Sequence, residues 1–190
     1  MATNKPSPLI PLVHKNDLKC LSPGSRLSDA VINPYIKLLE QRTDIPEWKV
    51  LGLDTFFYPC LARGRQDIAR RRFKVLNPFE YDTIIIPIFV EEKEHWALAA
   101  VFPKENRIQS YDSLGFSHKK GLYQIFEAFK KEAASRELEF CPSAWHIQDT
   151  SGTCPRQVGD TDCGVFVLWF AERLARGDEV IRIPRFNPNT

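Results

Sequence analysis

The chain has 190 residues, of which 43% are hydrophobic, 12% aromatic and 26% charged. That length and apolar content predict a folded unit with its own core and exclude a wholly disordered chain. The 26 Lys and Arg against 24 Asp and Glu leave a net charge of +2, too little for a nucleic-acid coat or an anionic-membrane binder.

Residues 1–16 hold three prolines and little helical pattern, and read as an extended N-terminal segment ahead of one domain over 17–190. After Ser22-Pro23-Gly24-Ser25, the stretch Leu27-Ser28-Asp29 leads into Val31, Ile32, Tyr35, Ile36 and Leu39. This is helical spacing with Ser28 or Asp29 as cap. Pro34 lacks an amide donor, which predicts a kink or a later start. Gly52 to Phe57 reads as a second short element. Residues 63–72 carry five arginines and read as an exposed, solvated helix.

A sheet follows. Thr83 to Val90 is β-branched and apolar, with Pro87 pointing to an edge or a bulge. His95 to Phe102 is a second strand and Arg107 to Asp112 a third, joined by the turn Pro103 to Asn106. Leu122, Ile125, Phe126 and Phe129 mark an amphipathic helix. Trp145 to Gln148 adds a strand. The last helix opens at Asp162-Cys163 and stops at Arg176-Gly177.

Five cysteines, an odd number without a C-x-x-C pair, fit neither a disulfide framework nor a zinc site. No apolar run approaches the ~20 residues of a membrane span, and no signal-peptide pattern opens the chain. The expectation is an intracellular protein, in nucleus or cytoplasm, with any special cysteine a reactive thiol.

Cys163 is the leading candidate. It follows a small, polar loop and opens an apolar helix, where unpaired amide donors and the helix dipole favour a thiolate. Taken alone, a small buried apolar residue is the commoner role for such a cysteine. A thiol protease also needs a base, an orienting acid and an oxyanion donor. His95 begins one predicted strand and Asp112 ends the next. Strands ~4.8 Å apart bring the two to one sheet end, where Asp112 holds the imidazole that activates Cys163. Gln157, six positions before the cysteine, supplies an amide N–H for the oxyanion, with the Cys163 backbone N–H beside it. Each match is weak singly, but the four in order form a set.

His95-Trp96, Tyr111-Asp112-Ser113-Leu114-Gly115, Gln157 and Asp162-Cys163-Gly164-Val165-Phe166 resemble the Ulp/SENP family of SUMO-specific cysteine proteases, over nearly all of the chain from Leu21 onward. The resemblance implies an α+β, papain-like fold of the Ulp/adenain type, with a central, mostly antiparallel sheet flanked by helices. It implies Cys163 as nucleophile, His95 as base, Asp112 as orienter and Gln157 as oxyanion donor, with no metal and no cofactor. Leu27-Ser28-Asp29 looks like the family's Trp-Leu-Asn-Asp helix entry, which places Arg26, Asp29 and Trp96 at the substrate. In the family a tryptophan stands where this chain has Arg26, and with the tryptophan after the histidine it roofs a tunnel for a Gly-Gly tail. Only glycine lies flat between such walls without a Cβ clash.

The reading is therefore a thiol isopeptidase that cleaves after the Gly-Gly of a ubiquitin-like protein, SUMO first among them, and acts on its lysine-linked conjugates. A monomer is expected, without nucleic acid or membrane. A NEDD8- or ubiquitin-directed protease, an acetyltransferase on the same fold and a silent modifier-binding module remain alternatives. His118 and His146 fall in no motif and read as surface or otherwise satisfied histidines.

Overall fold

The computed structural model describes residues 13–42, 44–45, 47–150 and 152–180. Residues 1–12 of the expected N-terminal segment lie outside these. Among the described residues five strands form one sheet in chain order: β1 (Val50–Gly52), β2 (Thr83–Val90), β3 (His95–Phe102), β4 (Arg107–Tyr111) and β5 (His146–Asp149). The β2–β3 and β3–β4 pairings are antiparallel, whereas both edge strands, β1 and β5, pair in parallel. The sheet is thus mixed, its antiparallel centre carrying the longer ladders.

Every residue of β3 is buried, because helices cover both faces of the sheet. On one face lie α1 (Asp29–Glu40) and α5 (Cys163–Ala175), packed on Trp96, Leu98, Ala100 and Phe102. On the other lie α2 (Phe57–Ala62), α3 (Gln66–Val75) and α4 (Lys119–Ser135), packed on Ala97, Ala99 and Val101. The period of two along β3 sorts its side chains into these two cores.

Several sequence readings need correction. Pro34 neither delays nor ends α1, which starts at Asp29; Ile32, Pro34, Ile36 and Leu39 are all buried on it. Packing of that stripe outweighs one lost amide donor. Gly52 to Phe57 is not one element: Gly52 ends β1 and Phe57 starts α2. The arginine-rich helix runs from Gln66 to Val75 and is exposed on one side only, since Ala69 and Phe73 are buried. Pro87 lies in an inner strand, paired with Leu98 of β3, but the β1 ladder stops at Gly52 opposite Ile85. Among the described residues no strand lies beside the outer side of β2 at Pro87, so a missing N–H is tolerated there.

Two features place the site. The tight β2–β3 connection closes on Glu94 in the left-handed region (φ 46°), immediately before His95. At the far end of β4 the chain reverses through Asp112 to Gly115, with Gly115 at φ 83°. The β3–β4 register pairs Leu98 with Tyr111. One further step would set Asp112 opposite Ala97, on the face that His95 shares by alternation.

Candidate active site

Asp112 is fully buried and is the hub of the site. Its Oδ1 accepts from His95 Nε2 at 2.9 Å and from the backbone N–H groups of Leu114 at 2.7 Å and Gly115 at 2.9 Å. Its Oδ2 accepts from His118 Nε2 at 2.6 Å. An ionised carboxylate only accepts, so both imidazoles present an N–H to it. Burial pushes the carboxyl up, but the donors from His118 and His95 outweigh that and hold it well below the usual carboxylate range.

His95 is 2% exposed. With Nε2 turned to Asp112, Nδ1 is the ring nitrogen left for Cys163. Burial disfavours the imidazolium, yet the hydrogen bonds to Asp112 and Cys163 raise the group from 6.5 to about 9. The Phe116 ring packs edge-on to the imidazole at 5.7 Å and 79°, and Lys93 Nζ lies 4.1 Å from the Phe116 centroid.

Cys163 is the first residue of α5 and is buried. Burial pushes its thiol up, but the His95 hydrogen bond, the Trp96 backbone N–H and the Gly164 backbone N–H bring it below the ordinary thiol value. The fit against the Leu27 segment is close: a Cβ on Gly164 would stand 2.6 Å from the Leu27 Cβ.

Gln157 is buried beside the Asp112 turn. Its backbone N–H donates to the Ser113 carbonyl at 3.1 Å, and its Oε1 accepts from Ser113 Oγ at 2.5 Å. Its Nε2 donates one hydrogen to the Gly159 carbonyl at 2.7 Å. The amide is therefore fixed at both ends, with a second N–H beyond the Gly159 bond.

Trp96 links the cysteine to a groove. Its Nε1 donates to the Leu27 carbonyl at 2.9 Å, and its ring packs on Phe89 with centroids 4.6 Å apart. Arg26, Leu27, Asp29, Phe89, Glu94 and Trp96 are among the residues lining this groove of about 550 Å³. Arg26 Nη1 donates to the Glu94 carbonyl at 3.1 Å and to Glu94 Oε2 at 3.0 Å. The structure thus gathers His95, Asp112 and Cys163 into one contact chain and puts Arg26, Asp29 and Trp96 in one groove. Gln157 joins the first group through Ser113.

Four neighbours escaped the sequence reading. His118 sits in no motif, yet it is buried on Asp112; only the turn at Gly115 brings it back there. Ser113 orients Gln157. Cys154 is buried against Asp112, donating to its carbonyl at 2.9 Å and accepting from its N–H at 3.3 Å. Glu94 holds Arg26. Ser113 stands in the Tyr111-to-Gly115 motif, but the contacts of all four depend on chain reversal or on strand pairing, which local pattern does not show.

A family model for the Ulp1 protease family, C-terminal catalytic domain, matches residues 25–183. Sentrin-specific protease 2 of Pongo abelii is 28% identical over 167 residues, covering 86% of this chain and 28% of that protein. Ubiquitin-like-specific protease 1A of Arabidopsis thaliana is 31% identical over 186 residues, covering 87% of this chain and 36% of that protein. The chain thus spans about a third or less of the length of these curated relatives. Among solved structures, the SUMO protease Ulp1 with its catalytic cysteine oxidised to a sulfinic acid superposes with a TM-score of 0.72 at 23% identity, covering 92% of this chain and 75% of that one. The C-terminal Ulp1 protease domain in complex with Smt3, the yeast ortholog of SUMO, gives 0.70 at 24%, covering 87% and 72%. The α+β fold of this chain is the fold of those domains.

Proposed function

The chain belongs to the Ulp1 protease family, and from that membership we propose a thiol protease and isopeptidase that cleaves after the C-terminal Gly-Gly of a ubiquitin-like modifier, SUMO first among them. The observation that carries the reading is the Cys163–His95–Asp112 contact chain, with the thiol lowered and the imidazole raised. Those opposite shifts favour a thiolate–imidazolium pair, the reactive form of a nucleophilic cysteine. A module that only binds has no use for it. The names of the curated relatives, sentrin-specific and ubiquitin-like-specific proteases, support the modifier class.

In this reaction the Cys163 thiolate attacks the carbonyl carbon of the terminal glycine. The second Gln157 N–H and the Cys163 backbone N–H donate to the oxyanion. His95 gives its proton to the departing lysine Nζ, or to the amine of a precursor tail, leaving a thioester. Water, deprotonated by His95, then attacks the thioester carbonyl and breaks the C–S bond, which releases the modifier with a free C-terminal carboxyl group and restores the thiolate–imidazolium pair. Asp112 fixes the imidazole throughout. All five cysteines are free, which supports a reducing compartment such as nucleus or cytoplasm. The groove at Trp96 and Arg26 is the proposed channel for the tail.

A panel of SUMO, NEDD8 and ubiquitin probes carrying a C-terminal electrophile tests both parts. The expected result is a covalent adduct at Cys163, fastest with SUMO. Faster labelling by NEDD8 or ubiquitin would move the specificity, and labelling by none would remove the protease assignment.

A further inference from the structure

Asp112 is shared by two imidazoles, and the mechanism above uses only one. His118 reaches the carboxylate from the segment just before α4, is 8% exposed and places Nε2 2.6 Å from Oδ2. His95 takes Oδ1 from β3. We propose that His118 is a positioning residue for the catalytic base, its Nε2–H locking the second oxygen of Asp112 so that the first stays aimed at His95. This rests on the reading of Cys163, His95 and Asp112 as the reacting set.

Three observations argue for it. Asp112 is fully buried, so an Oδ2 without a donor would be unsatisfied where water does not reach it, which favours protonation of the carboxyl. His118 is foremost among the donors that keep Asp112 ionised. The two backbone donors, from Leu114 and Gly115, both act on Oδ1; they leave rotation about that oxygen open, and a bond on Oδ2 closes it. The groups around this carboxylate are His95 from β3, His118 ahead of α4 and the Cys154 thiol from the loop after β5, with Cys163 of α5 beyond His95 and the Arg156 guanidinium packed against Gly115. His118 is the one of these that contacts Oδ2 and stands outside the reacting set. This gives His118 a role beyond that of a surface or otherwise satisfied histidine.

The test is the pH dependence of Cys163 alkylation by iodoacetamide, which reports the thiol–imidazole couple whether or not any modifier is cleaved. His118→Leu removes the donor, and His118→Gln keeps an N–H on a side chain of comparable reach. In His118→Leu the inflection for thiolate formation is expected to move up by roughly one pH unit, while His118→Gln stays near wild type. On a cleavable modifier the leucine variant is expected to lose about tenfold or more in kcat at unchanged KM, with glutamine restoring most of it. A purely structural histidine would lower Tm in both variants and leave the alkylation profile where it was, which overturns the proposal. If the leucine variant does not fold, long-range ¹H–¹⁵N correlation of the wild-type histidines decides. Nε2 of His118 protonated across neutral pH supports the role, and an unprotonated Nε2 sinks it. A wild type that alkylates as proposed but cleaves no modifier would remove the protease reading and leave this one standing.

Discussion

Gly164 and Leu27 meet so closely that a Cβ on the glycine would stand 2.6 Å from the Leu27 Cβ and 3.1 Å from its Cγ. That contact presses the start of α5, which carries Cys163, onto the segment whose Leu27 carbonyl holds the Trp96 indole. Gly164→Ala is expected to cost ~1–3 kcal/mol of stability, as overpacking does. It is also expected to lower kcat/KM by shifting Cys163 against Trp96. Thermal unfolding and steady-state kinetics read the two effects. An unchanged Tm would mean that the Leu27 segment yields freely, and that the close fit does not set the nucleophile.

The proposed nucleophile has competitors for labelling. Cys141 is exposed, and the hydrogen bond from Ser143 lowers its thiol, so a small alkylating agent is expected to label it too. Cys141→Ser should remove that label with no loss of turnover, whereas Cys163→Ser should abolish turnover and leave modifier binding intact. Cys154→Ser keeps a donor for the Asp112 carbonyl and should retain most activity. Peptide mapping that placed the activity-linked label on Cys60 or Cys154 would displace Cys163 from its role.

The oxyanion donor is held by a serine. Gln157→Ala is expected to lower kcat by roughly 10²–10³ with little change in KM, the usual effect of losing one such donor. Ser113→Ala leaves the amide in place but frees its Oε1, and a smaller loss, about tenfold, is expected in kcat alone. A Ser113 variant whose KM rises at constant kcat would show that the serine serves binding instead of the transition state.

The order of elements was legible because it rests on local pattern. β2, β3 and α4 follow from β-branched runs and helical spacing; His95, Asp112 and Cys163 stand in short motifs at the ends of such elements, with Gln157 in the loop ahead of α5. Contacts across the chain were not. His118 lies six residues past Asp112, yet nothing in that spacing tells that Gly115 turns the segment back onto the carboxylate. The start of the helix at Asp29, ahead of Pro34, departs from a later start for a related reason: a propensity penalty is local, whereas the buried stripe that outweighs it belongs to the packed fold. The parallel edges of the sheet were hidden too, since a three-residue strand such as β1 has no periodicity to read.

His95 and Asp112, both shifted in the site, make opposite demands on pH. His95 stands at about 9 in the fold against an ordinary 6.5, so its contribution to stability is full below about 6.5 and is lost as pH rises through about 9. Asp112 lies below its ordinary 3.8, so its contribution is present above that value and is lost as pH falls through the folded one. kcat/KM is expected to decline on the alkaline side near pH 9, where the imidazolium loses the proton meant for the leaving amine. In Asp112→Asn the alkaline limb should move down towards 6.5. An unmoved limb in that variant, followed by pH–rate profiles, would separate Asp112 from the titration of His95.

Arg26 is tied back at the mouth of the groove, its Nη1 on the Glu94 carbonyl and on Glu94 Oε2. The two side chains are 35% and 80% exposed, and an exposed pair of this kind contributes only ~0–1 kcal/mol. Arg26 is thus easily released, either to cover a bound tail with its planar head or to meet an acid on the modifier. The variant that loosens the tie is Glu94→Gly, which removes the carboxylate and leaves only the backbone carbonyl as acceptor, and glycine accepts the left-handed backbone that Glu94 adopts at φ 46°. If Arg26 covers the tail, freeing it should lower KM on Gly-Gly substrates. Arg26→Trp should do the same, with less tolerance for alanine in either glycine. If Arg26 meets an acidic patch, Arg26→Trp should bind more weakly, and the wild type should lose affinity as salt screens the pair. Kinetics on matched Gly-Gly and Ala-Gly tails at low and high salt separate the two. Should Arg26→Trp, Arg26→Ala and Glu94→Gly all leave both tails unaffected, Arg26 lies outside the channel, and the alignment of Leu27-Ser28-Asp29 with the family's helix entry loses its functional meaning.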